Sequence, residues 1–182
     1  MKVGIPTNAQ VALTKSEEKS ALSTSELLPE SYLHPGQLHV TADAMLLKMI
    51  LGSCVGVFLF DPILRIGGVA HYLLPQWDGT GVASPRYGDV ALKNLLLRIN
   101  ELGARTANLQ AKIFGGACTL SFFRENGQHV GTRNVRFAEA FLGETGIRII
   151  FKDVLGETGR KIIIRSDTGA VSVARIEHAR TN

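Results

Sequence analysis

Leu51-Gly52-Ser53-Cys54-Val55-Gly56-Val57-Phe58-Leu59-Phe60-Asp61-Pro62 and its return, Leu64-Arg65-Ile66-Gly67-Gly68-Val69-Ala70-His71, decide how this chain folds. Two apolar, β-branched runs flank an Asp-Pro corner. Pro presets φ at the second turn position and Asp caps the first, so the stretch reads as a hairpin. With Pro62 and Ile63 as a two-residue loop, Asp61 pairs with Leu64, and the register carries down the ladder until Cys54 faces His71. Directly opposed residues have Cβ atoms roughly 4.5 to 5.5 Å apart, which brings thiol and imidazole within reach. A slip of one residue would put them on opposite faces. Gly67-Gly68 could hold a bulge that causes such a slip, or one that bends the strand to aim His71.

A thiol beside an imidazole matters because the thiolate is the nucleophile. The imidazole can take its proton and later return it to a leaving amine. Gly52 lets a substrate approach the backbone, and the amides around Ser53 and Cys54 could donate to a developing oxyanion. The plainer alternative makes Cys54 a small buried hydrophobe and His71 a hydrogen-bonded residue at a strand end.

The residues around the pair favour the first reading by resemblance. Leu-Gly-Ser-Cys-Val (51–55), the Asp-Pro corner and Gly-Gly-Val-Ala-His-Tyr-Leu-Leu-Pro (67–75) are followed by Pro85-Arg86-Tyr87-Gly88-Asp89. Then come Ala111-Lys112-Ile113-Phe114-Gly115-Gly116-Ala117, Gly131-Thr132-Arg133-Asn134 and Gly159-Arg160-Lys161. In order and approximate spacing these resemble the chemoreceptor glutamine deamidase family, CheD, over about residues 32 to 176. The resemblance implies an α/β sandwich whose Cys54 and His71 deamidate glutamine side chains in the cytoplasmic domains of chemotaxis receptors. It implies no cofactor, and a possible partner in a CheC-like phosphatase.

Length and composition fit that picture. A chain of 182 residues with 45% hydrophobic and 20% charged residues suits one soluble domain with a sizeable core. It has no run of eighteen apolar residues and no basic-then-apolar start, so neither membrane insertion nor a secretion signal is expected, and the cytoplasm is. Two cysteines, Cys54 and Cys118, show no metal-ligand spacing and suit a reducing compartment. The formal charge of +4 is spread along the chain without an aromatic-interleaved basic stripe, which argues against nucleic acid. With no coiled-coil seam, a monomer is expected.

Residues 1–31 show weak periodicity and many small polar residues, and read as a flexible extension; 177–182 read as a tail. The domain is placed at 32–176. Pro35-Gly36 is a turn, and Leu38, Val40 and Ala42 alternate with His39 and Thr41 as an edge strand, with His39 read as solvent-facing. The loop from Gln76 to Pro85 carries Trp77 and Asp78, which either line a substrate groove or cover the edge of the core. A helix is predicted from about Asp89, as N-cap, to Leu102, stopped by Gly103. Tyr87 and Asp89 read as capping and packing residues, with substrate contact as the alternative. Leu109 to Phe114 is a buried strand closed by Gly115-Gly116, a turn that the family's fold would set near the catalytic pair. Cys118 reads as core. A second helix runs from about Thr132 to Glu144, where Asn134 can tie down a neighbouring loop, and His129 reads as a solvated loop residue. Strands follow at Ile147 to Lys152, Arg160 to Arg165 and Ala170 to Arg175. The result is a single-domain, layered α/β sandwich (α+β) with two main helices and mixed or antiparallel sheets. No Rossmann or P-loop signature is present.

In one place the chain departs from the family. A threonine thought to orient the histidine usually stands five or six residues before the cysteine, where this chain has Lys48 and Met49. If one strand ran from Lys48 through Ile50 and Gly52 to Cys54, Lys48 would point at the pair and modulate it. Its ammonium would favour the thiolate, oppose a protonated His71 and accept no hydrogen bond. The other reading has Lys48 reach to solvent. Orientation of His71 could then pass to Ser53, Thr41 or a backbone carbonyl. The function expected is protein-glutamine deamidation by a thiol mechanism. The rival is a weakly catalytic module that docks a receptor or a phosphatase.

Overall fold

Strands β4 (Val55–Asp61) and β5 (Ile66–Tyr72) are buried along their whole length. That is why both runs are continuously apolar instead of alternating: a strand covered on both faces has no side for water. In the computed structural model, which describes residues 28–118 and 129–176, they lie at the centre of a five-stranded sheet. Its order is β2 (Gln37–Thr41), β5, β4, β6 (Gln110–Gly115) and β7 (Arg148–Val154). A second sheet has the order β1 (Glu30–Tyr32), β3 (Leu46–Leu51), β8 (Arg160–Arg165) and β9 (Val171–Arg175). The pairs β1/β3 and β6/β7 are parallel and the other pairs antiparallel.

Alternation along β4 divides the core in two. Val55, Val57 and Leu59 pack with Leu92, Leu95 and Ile99 of helix α1 (Gly88–Glu101) and with Ala138 and Leu142 of helix α2 (Val130–Glu144). Phe58 and Phe60 point the other way, onto Leu47, Met49, Leu51, Ile162 and Ile164 of the second sheet. Helices, five-stranded sheet and four-stranded sheet therefore stack in that order, and the layered α/β sandwich predicted from the sequence is the fold of the described residues.

The hairpin register differs from the expectation. Asp61 pairs with Ile66, so the loop has four residues, Pro62 to Arg65, and His71 faces Gly56 instead of Cys54. Two-residue hairpin loops need a positive φ at their first central position, which the proline ring forbids. The fully buried Asp61 carboxylate instead accepts the N–H groups of Ile63 at 2.9 Å and Leu64 at 3.1 Å, and Arg65 closes the loop at φ 58°. The shift is two residues, so Cys54 and His71 keep a common face. Gly67-Gly68 holds no bulge, since the ladder runs unbroken. A Cβ at Gly67 would sit 2.5 Å from the Ser166 carbonyl oxygen, so these glycines serve close approach.

Element boundaries move by a few residues. The first strand starts at Glu30, two residues before the expected domain start, while residues 1–27 and 177–182 lie outside the described residues, as do 119–128. Helix α1 is capped by Tyr87, not Asp89; the Asp89 carboxylate accepts from Trp77 and Val90 and so ties the incoming loop to the helix start. Helix α2 begins two residues early because His129, expected in a solvated loop, is its N-cap and accepts the Thr132 N–H at 3.3 Å. His39 lies on the edge strand β2 and is half-buried, not solvent-facing.

Candidate active site

The chain leaves the second sheet at Leu51 and enters the first at Val55, and Gly52-Ser53-Cys54 is the crossing between them. Its three carbonyls are each held. The Gly52 oxygen accepts Ala117 N–H at 2.7 Å, the Ser53 oxygen accepts the Asn134 carboxamide at 3.1 Å, and the Cys54 oxygen accepts Gly116 N–H at 2.8 Å. Two of these donors are the N–H groups of Gly116, in the Gly115-Gly116 turn, and of Ala117, just after it, so the turn lies against the crossing, as its place in the family's fold implies. Gly115 has φ +99°, and a methyl group there would collide with the Cys54 carbonyl oxygen. Gly115→Ala is expected to cost about 2 to 3 kcal/mol of stability from backbone strain and collision, a fall of roughly 4 to 12 °C in Tm. A thermal melt with Tm unchanged would refute the fit of this turn.

His71 is 1% exposed. Its Nδ1 lies 3.2 Å from the Leu33 carbonyl oxygen, which can only accept, so Nδ1 carries the proton and Nε2 the lone pair. The Leu33 N–H in turn donates to the Lys48 carbonyl at 2.8 Å. Of the orienting groups left open by the sequence, it is a backbone carbonyl that holds the ring. Leu33 lies 38 residues before the histidine, and nothing in its residue type signals this role. The Nε2 atom is buried and has no hydrogen-bond partner.

Cys54 stands one residue before β4 and packs, half-buried, against the inter-sheet cluster of Leu33, Met49 and Leu51. It packs on the side of β4 toward the second sheet, and Gly56, opposite His71, puts no side chain in the way. In this resting state the thiol makes no hydrogen bond to Nε2. Burial pushes the Cys54 thiol up, against a smaller pull from its own backbone N–H. Burial pushes His71 down, outweighing the Leu33 carbonyl, with nearby His34 adding to the depression. At neutral pH the pair rests as thiol and neutral imidazole. Alkylation by iodoacetamide follows the thiolate, which forms only as pH rises through the raised thiol pKa. The rate is therefore expected to be still climbing at about pH 8.5, the ordinary cysteine value. A plateau below pH 8 would mean a preformed thiolate and imidazolium.

Lys48 does not face the pair. The strand that carries it ends at Leu51 in the other sheet, where Leu47, Met49 and Leu51 point inward and Lys48 points out to pair with Glu30. The single strand assumed from alternation is broken by the crossing, so Lys48 reaches solvent and is no modulator of Cys54.

Ser53 and Cys54 open onto a cleft of about 620 Å³, whose walls include Leu73, Leu74, Arg86 and Tyr87. Of the proposed groove residues, Tyr87 lines it. Gly115 and Gly116 stand behind the crossing, and Trp77 is not part of the lining: its indole N–H donates to the Thr80 carbonyl at 2.7 Å and its backbone N–H to Asp89. Arg86, which the sequence shows only inside a motif, is the one formally charged side chain among the described lining residues. Among the described residues no cluster of three His, Cys, Asp or Glu could hold a metal, and no helix is long and apolar enough to cross a membrane.

The comparisons with known proteins bear on this arrangement. Residues 73–175 match the family described as CheD chemotactic sensory transduction, a stretch that contains Arg86, Tyr87, the Gly115-Gly116 turn, Asn134 and Arg160. A protein of Sulfurimonas denitrificans named probable chemoreceptor glutamine deamidase CheD is 38% identical over 148 residues, covering 81% of this chain and 95% of the relative. A Rhodospirillum rubrum protein of the same name is 42% identical over 154 residues, covering 85% and 86%. Among solved structures, the Bacillus licheniformis hypothetical protein YfiH aligns over 78% of this chain and 70% of its own at 14% identity and a TM-score of 0.47, too distant to inform the site. With two relatives near 40% identity over most of both chains, and a family match that takes in the cleft walls beyond Cys54 and the supports of the crossing, the chain belongs to the CheD family.

Proposed function

We propose that this protein deamidates glutamine side chains in the cytoplasmic domains of chemoreceptors, with Cys54 as nucleophile and His71 as acid and base. The relatives' names supply the substrate class. The observation that carries the chemistry is His71 itself: Nδ1 is tied to a carbonyl, which leaves a free Nε2 on the face that Cys54 shares. A glutamine entering the cleft places its carboxamide carbon against the sulfur. Nε2 takes the thiol proton as the sulfur attacks, and the carbonyl oxygen becomes an oxyanion facing the backbone amides of Ser53 and Cys54. The imidazolium then gives its proton to the departing nitrogen, and ammonia leaves. Water, deprotonated by the same Nε2, cleaves the thioester, and glutamate and thiol are restored. This reaction needs no cofactor and takes place in the cytoplasm, where the substrate domain lies.

The test is incubation with a purified receptor cytoplasmic domain, read by intact mass and by ammonia release. Each converted glutamine adds about one mass unit and yields one ammonia, with glutamate as the product. Binding without either signal on any receptor of the same cell would overturn the reading and leave a docking module.

A further inference from the structure

We infer that Asn134 is a positioning residue of this reaction, whose carboxamide holds the Ser53 carbonyl so that the Cys54 N–H points to where the oxyanion forms. The inference rests on the deamidase reading above. Asn134 lies in the first turns of α2 and is fully buried. Its Nδ2 donates to two carbonyls, Ser53 at 3.1 Å and Leu73 at 2.7 Å, one from the crossing and one from the chain just beyond β5. Both residues line the cleft.

The direction of the Cys54 N–H follows from the peptide plane. In a trans peptide the Ser53 C=O and the Cys54 N–H are antiparallel, so fixing one aims the other. That N–H belongs to the cysteine itself. It stands beside the atom to which the attacked carbon becomes bonded, the right place for a donor to the adjacent oxygen. The Ser53 N–H is aimed likewise, because the Gly52 oxygen is held by Ala117.

The carboxamide keeps this orientation at a cost. With both amide protons on carbonyls, Oδ1 is left buried without a partner, and a flip would set that oxygen against two carbonyl oxygens. Tyr72 Oη donates to the Asn134 main-chain carbonyl at 2.7 Å, a bond to the helix backbone and not to the carboxamide. Helix α2 is seated on the turn behind the crossing, since a Cβ at Gly116 would lie 2.5 Å from Val135 Cγ2.

The test compares wild type with Asn134→Ala, Asn134→Asp and Tyr72→Phe, each checked for folding by its melt. Asp keeps the shape but has at most one donor, a protonated O–H, for the two carbonyls, and Tyr72→Phe removes a nearby bond while sparing the clamp. Two rates are read: receptor deamidation, with kcat and KM separated, and alkylation of Cys54 by iodoacetamide, a displacement in which no oxyanion forms. A misaimed donor is expected to lower kcat roughly 10²-fold in both Asn134 variants, with KM and alkylation within about twofold of wild type. Tyr72→Phe should keep kcat. Unchanged kcat in the folded Asn134 variants would overturn the inference, as would kcat and alkylation falling together, or failure of both variants to fold, since either makes Asn134 only a structural support. An inactive wild type defeats the deamidase reading instead, and that is seen before any variant is compared.

Discussion

Cys54→Ala is expected to reduce deamidation of a receptor cytoplasmic domain by at least about 10⁴-fold while leaving receptor binding intact, because the sulfur is the only group asked to form the covalent intermediate. What survives in the variant is the cleft and the backbone amides of the crossing, which could at best polarise a carboxamide for attack by water. The substitution removes one half-buried atom and touches none of the three hydrogen bonds that hold the crossing, all of which end on backbone oxygens. Intact mass of the receptor over time gives the rate, and calorimetry of the same two proteins gives the affinity. A variant that still converts glutamine within tenfold of the wild-type rate would remove Cys54 from the mechanism. The free Nε2 of His71 would then have to activate water directly.

Replacing Arg160 by Met is expected to be the most destabilising single change outside the hydrophobic core. Arg160 is the largest fully buried side chain of the described residues. It opens β8 directly across from Leu51, the last residue before the crossing, and reaches over to the first sheet. There Nε donates to Asp153 at 2.7 Å, and the two terminal nitrogens donate to the carbonyls of Gly115, Thr158 and Leu155. One guanidinium thus staples the two sheets at the end where Gly52-Ser53-Cys54 passes between them. Met fills the volume but leaves these carbonyls without that donor, and Asp153 with Arg175 alone. Breaking a buried pair in this way costs about 3 to 5 kcal/mol. Because Arg175 still neutralises Asp153, the lower end applies, a fall of roughly 6 to 12 °C in Tm. Arg160→Lys should recover little, since a point charge cannot serve several acceptors lying in different directions as the planar fork does. A melt of Arg160→Met within 2 °C of wild type would show that the staple holds nothing.

How far the site was legible differs from residue to residue. Asn134 reads from the sequence as able to tie down a loop, and it holds both the crossing and the chain just beyond β5, although the sequence names neither. Of the two readings of Lys48, the one in which it reaches solvent holds, and for a definite reason: period-2 alternation applies within one strand, and the chain changes sheet between Lys48 and Cys54. The hairpin loop was legible in principle. Pro62 cannot take the positive φ that a two-residue hairpin loop demands, and that rule alone excludes the two-residue loop. Leu33 could not have been found, because its contribution to His71 is a main-chain oxygen and a side-chain alphabet does not record where a carbonyl points.

The sequence by itself determined the elements and their chemistry. Continuous apolar runs marked strands buried on both faces, helical spacing and glycine stops marked the two helices, and the order of the Gly-Ser-Cys, Gly-Gly-Val-Ala-His and Gly-Arg motifs marked the family. These are local properties, set by side-chain periodicity and by the dihedral limits of Pro and Gly. Only the tertiary structure decided that the crossing between two sheets carries the cysteine, that Asn134, Ala117 and Gly116 fix its three carbonyls, that Leu33 sets the tautomer of His71, and that Arg160 joins the sheets behind it. The last three are hydrogen bonds between distant segments that depend on backbone direction, and backbone direction follows from packing.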